Sequence, residues 1–373
     1  MMKTQIPNTT LDDFSEGRDN NFNLLRMIAA TLVIFTHAFG ITGHGQAEPL
    51  YQFSGLSFGS WAVDLFFVTS GYLICKSWHA RQNLLRFLYA RFLRIYPALW
   101  VSTLVIALIV GPLFTELRLK EYLLHLDTLK YLLENTTLLI KGVKTDLPGV
   151  FTAHPSADIN SPLWTLPYEL KMYLLLAALG WTGLLYRRGL TLALSMGAGI
   201  LFALAYSRLV PELASWTEAL RFVFFFFAGS SAWLYRKQIP LRASLLCAMV
   251  GGFIVFSFLT DNLAARRMAL AVLTPYLVFW LACIPSGWIR HYNRLGDYSY
   301  GTYIYGYPVQ QIIFALTGGA VLSNFILSFM VTLSLAAISW HFLESRALRL
   351  PMPDFLQRWS ARPAMAVRGI QPE

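Results

Sequence analysis

The sequence predicts an all-α fold: a polytopic integral membrane protein with about ten transmembrane helices and both termini cytoplasmic. Three observations lead there. Of 373 residues, 56% are apolar and 13% charged, far from the roughly 45–50% and about 25% of soluble domains. The apolar residues gather in runs of about 20, the length that crosses a hydrocarbon core of about 30 Å. The net charge of +10 is spread over short loops between those runs rather than gathered in a patch or an arm, so it reports topology and argues against a nucleic-acid partner.

Residues 1–20 are polar, with Asp12, Asp13 and Glu16, and carry neither a basic n-region nor a small-residue cleavage site. They read as a cytoplasmic tail ahead of a retained first helix. The membrane domain occupies 21–345, with spans expected at 22–41, 59–76, 97–115, 162–181, 189–207, 218–235, 242–260, 267–285, 299–319 and 324–343. The fourth, "SPLWTLPYELKMYLLLAALGW", and the ninth, "SYGTYIYGYPVQQIIFALTGGA", are too polar to face lipid and are expected to face the bundle interior or a wet cavity. Residues 346–373 form a second cytoplasmic tail.

Orientation follows from the basic residues. Lys76, Arg81, Arg86, Arg91 and Arg94 follow span two, and later alternate loops hold Arg187 and Arg188, Arg236, Lys237 and Arg242, then Arg290 and Arg294, with Arg346 and Arg349 in the tail. The opposite loops at 42–58 and 320–323 have no Lys or Arg, and 208–217 has only Arg208; Arg266 and Arg267 are the exception. The outer segment 116–161 divides into "EYLLHLDTLKYLLENTTLLI", expected as one or two interfacial helices, and "KGVKTDLPGVFTAHPSADINSP", expected as a loop that meets a polar ligand.

Several ionisable residues interrupt the spans. Arg26 and His37, eleven residues apart in "NFNLLRMIAATLVIFTHAFGITG", share one face of a helix, about 16 Å apart along its axis. Such groups in lipid point to function by default. The plainer readings are a snorkelling anchor for Arg26 and an interhelical hydrogen bonder for His37. Asp64, in "WAVDLFFVTSGYLICK", would either orient an imidazole or cap its span near the interface. Glu169 lies several residues inside span four with Tyr173 on the same face at i+4, and a glutamate at that depth needs a partner. Arg91 and Arg94 share a face of a short helix expected at the cytoplasmic rim, suited either to phosphate or to plain positive-inside anchoring. Cys75, Cys247 and Cys283 show no metal spacing and are expected as core residues, with no metal site.

Together the Arg-x10-His spacing of span one, "AVDLFFVTSGYLI", "RFLRIYPALW", "LPGVF", "SPLWTLPYEL" and "LGDYSYGTYIYGYPV" occur in an order that resembles the membrane acyltransferase-3 family, over roughly residues 20–345. That family includes bacterial O-antigen and exopolysaccharide O-acetyltransferases. The resemblance implies a multi-pass protein of the bacterial inner membrane that moves an acyl group, commonly acetyl, from cytoplasmic acyl-CoA to a hydroxyl of a cell-surface polysaccharide or lipid-linked saccharide. Membrane lipid, a saccharide acceptor and envelope-polysaccharide biosynthesis proteins would be its partners. By position, His37 would be the essential histidine, Arg26 its paired arginine, Arg91 and Arg94 the RxxR pair, and Glu169 the membrane glutamate. His37 would act as general base or, in the alternative, as a transient acyl carrier. The three arginines would hold CoA phosphates, Asp64 or Glu169 would orient or charge-balance the imidazolium, and Trp164, Tyr168 and Tyr173 would contact the acceptor. One departure is Gly306, where the family often carries a histidine before an aromatic–proline pair. No appended hydrolase-like domain is expected, so the membrane domain would act alone. The rival readings are a transporter or flippase for a saccharide or anionic substrate, which would use His37 and Glu169 as a path, and a non-catalytic membrane subunit of the same fold.

Overall fold

A computed structural model describes residues 9–17, 19–138 and 142–360. The described residues are helical, with three isolated bridges and no strand. In chain order the long helices are α1 (Phe22–Ile41), α2 (Phe58–Arg81), α3 (Leu84–Val105), α4 (Leu126–Thr137), α5 (Leu166–Trp181), α6 (Arg188–Tyr206), α7 (Thr217–Leu234), α8 (Ala243–Leu259), α9 (Leu263–Cys283), α10 (Ser299–Thr317) and α11 (Val321–Ser339).

A helix occupies each predicted span, but only six helices among the described residues are long and apolar enough to cross a membrane: α1, α2, α3 with its continuation to Phe114, α6, α9, and α11 with its continuation to Ala347. The remaining four, α5, α7, α8 and α10, are shorter or more polar. Large apolar side chains face outward on the bundle, Phe258 and Leu259 of α8 at 81% exposure each, as a lipid-facing surface requires. Cys247 lies on that exposed helix, whereas Cys75 and Cys283 are buried as expected.

Local sequence explains where helices begin and end. Side chains of Ser57, Asn83 and Asn262 accept backbone N–H groups at the starts of α2, α3 and α9, satisfying donors that a helix leaves orphaned. The short rim helix expected around Arg91 and Arg94 is instead part of α3, which runs through Pro97 and then a π-helical stretch, Ile106–Val110. Proline bends a membrane helix without ending it when neighbours supply the lost partners. Pro308 in α10 shows the compensation: it cannot donate to the Ile304 carbonyl, and the Asn160 side-chain amide donates there instead at 3.0 Å.

Helix contacts in lipid depend on close approach rather than on a hydrophobic driving force. At the α2–α7 crossing, a side chain at Gly71 would strike the Phe226 carbonyl, and one at Gly229 the Val68 carbonyl. Ser230 donates to the Gly71 carbonyl across the same contact. On the other flank α1 meets α10, where Gln310 donates to the Ile34 carbonyl at 2.8 Å and pairs with Asn324 of α11.

The outer segment forms two helices, Leu119–Leu124 and α4, divided at His125, whose ring accepts the Asp127 N–H; the end of the predicted helical stretch lies outside the described residues. Residues 142–160 form the expected loop and dock on α10 through Gln311, which donates to the Ser156 and Asp158 carbonyls. The opposite end of the bundle gathers both terminal segments. Asp12 pairs with Arg236 at 2.6 Å, Lys76 donates to the Ser15 carbonyl, and Tyr89 to the Pro351 carbonyl.

Candidate functional site

Helix α1 carries the two residues that the sequence places on one face, and both turn toward α10. Arg26 lies 3.7 Å from Asp297, just before α10 begins, and 5.9 Å from the Phe66 ring. Three turns further along, the His37 ring packs edge-on against Tyr307 of α10 at 4.9 Å. Between them, Ile34 fills the space beside Gly306, where an added Cβ would come within 2.9 Å of it. A histidine at position 306 would therefore require the Ile34 side chain to shift.

At the Arg26 end, α3 brings in Arg94, which pairs with Asp297 at 2.5 Å and Glu344 at 3.5 Å and lies over the Tyr300 ring. Glu344 belongs to a π-helical stretch, Trp340–Glu344, at the end of the last helix and also accepts the Ser339 hydroxyl at 2.9 Å. Asp297 accepts the Ser299 hydroxyl and N–H. Burial pushes the Asp297 carboxyl up, but Arg94, Arg26 and Ser299 overcome this and hold it down at about 2. The stabilisation from this depressed value is complete above the ordinary value of 3.8 and is lost as pH falls through about 2. The melting-temperature gap between wild type and Asp297→Asn is accordingly expected to hold from neutral pH down to 3.8 and to shrink below it; a gap constant to pH 2 would contradict the ion pairing.

Arg91 lies one turn from Arg94 on α3, flanked by the rings of Phe87 at 5.8 Å and Tyr173 at 5.9 Å. It makes no ion pair among the described residues, and its buried Nε has no hydrogen-bond partner. Tyr173 donates to Glu169 one turn earlier on α5, as the i+4 spacing predicts, and Ser70 of α2 donates to the same carboxylate at 3.4 Å.

Not every predicted site residue joins this group. Asp64 is held by Arg221 of α7 at 2.6 Å and makes no bond to His37; Arg221, 2% exposed, also binds Glu218 and the Ser60 carbonyl. Glu169 does not bond to His37 either. Asp158 of the outer loop accepts the Thr145 hydroxyl, and its backbone carbonyl accepts from Gln311 of α10, one turn from the Tyr307 ring that packs on His37. Trp164 and Tyr168 pack together against Phe222, apart from Tyr173, which belongs to the Arg91–Glu169 group. Sequence reasoning passed over Asp297, Glu344, Arg221 and Asp158. The available signal for Arg221 was an arginine, with Glu218 at i−3, opening the apolar run of α7. The outer exception, Arg266 and Arg267, is also explained: Arg266 donates to the Phe53 carbonyl, and Arg267 covers the Tyr206 ring at 4.0 Å.

The family model for the acyltransferase domain, acyltransferase 3, matches residues 19–341. The chain belongs to the acyltransferase-3 family. It is similar to an "O-acetyl transferase" of Shigella phage Sf6, 27% identical over 346 residues that cover 90% of this chain and 98% of the relative. It is also similar to "Nodulation protein 10" of Rhizobium leguminosarum bv. viciae, 24% identical over 370 residues, 91% of this chain and 96% of that one. No solved structure matches it. As a member of this family the protein is an acyltransferase.

Proposed function

We propose that this acyltransferase is an O-acetyltransferase of the bacterial inner membrane. It takes acetyl from acetyl-CoA at the cytoplasmic face and esterifies a hydroxyl of a cell-surface polysaccharide or lipid-linked saccharide. Ten spans with both termini inside agree with a helix at each predicted segment and with the gathering of both terminal segments at the basic end of the bundle. The phage relative's name supports the acetyl ester.

The observation that carries the reading is α1 itself, with an arginine cluster at one end and a histidine three turns away whose ring nitrogens bond to no described residue. Arg26, Arg91 and Arg94 form the donor end, suited to CoA phosphates. The pantetheine arm spans about 16 Å to His37. A thioester is already activated, so the demand is to deprotonate a weakly acidic hydroxyl and hold two reactants together. A ring nitrogen of His37 takes the hydroxyl proton as the oxygen bonds to the thioester carbonyl carbon. The C–S bond then breaks, and the departing thiolate recovers the proton, leaving an ester and free CoA. Asp158, on the loop docked one turn from Tyr307, is the carboxylate that balances the transient imidazolium, and Trp164 with Tyr168 offers a stacking surface for a sugar. Envelope-polysaccharide biosynthesis proteins are the expected partners.

Release of CoA thiol from acetyl-CoA by membranes containing the protein, with acceptor supplied, tests the donor; no release above control membranes would remove acetyl-CoA from the scheme. Glu169→Gln, which weakens the acceptor of the Tyr173 and Ser70 hydroxyls beside Arg91, is expected to cut kcat by about 10²-fold with little change in KM for acetyl-CoA. Full activity would return Glu169 to a structural role.

A further inference from the structure

A general base works only if its nitrogen is held on the proton it takes, within hydrogen-bond reach and within about 10–20° of the productive direction. An imidazole is ordinarily held by a bond at its second nitrogen, but His37 makes no hydrogen bond to a described residue. The backbone around it is fixed. Gln310 donates to the Ile34 carbonyl on one side, and on the other the Thr36 hydroxyl donates to the buried Glu48 at 2.8 Å while accepting the Gly59 N–H at 2.6 Å. Neither tie restrains rotation of the His37 ring about its own side-chain bonds. Packing must do that, and the ring that meets it edge-on, with 4.9 Å between centroids, belongs to the buried Tyr307.

Tyr307 is itself held at both ends. Its backbone belongs to α10, and its hydroxyl shares a 3.0 Å hydrogen bond with the hydroxyl of Ser156 in the outer loop. Ser156 is in turn fixed by Gln311, one turn along α10 from Tyr307. Both amide hydrogens of Gln311 go to carbonyls, those of Ser156 and Asp158, so its amide oxygen accepts from Nδ1 of His154, 2.8 Å away. The His154 ring lies between Phe151, stacked at 4.7 Å, and Phe314, edge-on at 4.9 Å. Pro155 sits beside Gly43, just past the end of α1, where an added Cβ would meet it at 3.7 Å. The turn 154–156 therefore spans the outer ends of α1 and α10. From this chain of contacts we infer that Tyr307 is a positioning residue for His37, a strut whose far end is set by Ser156. The outer loop thereby fixes the angle of the base, so its sequence governs the chemical step as well as entry of the acceptor. The inference deepens the proposed function and rests on its assignment of His37 as the base.

The test uses the full-length protein in lipid nanodiscs and two readouts. One is the order of the His37 ring, from NMR relaxation of protein grown with ring-labelled histidine, its signal assigned by its loss in His37→Gln. The other is acetyl transfer from acetyl-CoA to cell-envelope glycans, with kcat separated from KM. Tyr307→Phe, which keeps the ring and removes only the hydroxyl, is expected to lower the His37 order parameter and cut kcat about 10-fold, with KM for acetyl-CoA within about twofold of wild type. Ser156→Ala is expected to do the same, and Ser156→Thr to restore most of the rate. The double variant Tyr307→Phe with Ser156→Ala should lose about 10-fold rather than about 100-fold, because both changes break one bond. Melting temperatures close to that of wild type show that these losses are not misfolding. An unchanged order parameter in both single variants overturns the strut. So do losses that multiply in the double variant, or a change confined to the half-saturating glycan concentration with kcat intact, which would make the two hydroxyls acceptor contacts. A His37 ring whose order depends on the hydroxyl pair, in a protein that transfers no acetyl, would support the strut and sink the acetyltransferase reading.

Discussion

His37→Ala is expected to reduce acetyl transfer by about 10²–10⁴-fold, the range that a positioned general base contributes. The ring packs edge-on against Tyr307 and makes no hydrogen bond to a described residue, so its nitrogens are available to an acceptor hydroxyl. The loss should not arise from unfolding. Helix α1 stays joined to α10 through the Gln310 bond to the Ile34 carbonyl and the close packing of Ile34 on Gly306, neither of which uses the imidazole. Initial rates of CoA release, measured on variants that elute as a single species in detergent, check this. His37→Gln, which keeps hydrogen-bonding capacity without a titrating nitrogen, should be equally poor. A wild-type rate in either variant would remove His37 as the base.

Asp64→Ala is expected to act on stability first. The expectation that Asp64 orients the imidazole meets a structure in which its carboxylate is occupied by Arg221, a buried guanidinium that also binds Glu218 and the Ser60 carbonyl. Removing one partner of a buried pair typically costs about 3–5 kcal/mol, and Glu218, which still binds Arg221, keeps the loss toward the lower end of that range. The melting temperature in detergent should fall accordingly, and the double variant Asp64→Leu with Arg221→Met should recover most of the loss, because an apolar pair carries no desolvation cost. An Asp64→Ala protein that melts like wild type yet loses activity would restore the orienting role.

These two residues mark how far the sequence was legible. Relations carried by one helix were readable from spacing alone: Arg26 and His37 turn toward the same neighbour, and Tyr173 donates to Glu169 at i+4. Relations between distant segments were not. Asp64 finds Arg221 across 157 positions and Arg94 finds Asp297 across 203, and no local pattern distinguishes such a partner from any other charge near a span end. The interruption at Pro97 misled in a different way. Proline usually marks a boundary, but α3 runs through Pro97 and so carries Arg91 and Arg94 inside the long helix rather than on a separate one. Gly306 was visible as a departure from the family, but the packing of Ile34 against it was not.

Acyl transfer from a CoA thioester to a saccharide hydroxyl, with α1 carrying the base, makes a specific demand on the product. The most direct measurement supplies acetyl-labelled acetyl-CoA and cell-envelope glycans to membranes containing wild type or His37→Ala, then asks whether label enters the glycan fraction and is released by mild hydroxylamine, as an O-acetyl ester is. Hydroxylamine-labile label is expected with wild type and none above background with His37→Ala. Equal labelling by both proteins, or CoA release with no ester formed on any saccharide, would contradict it.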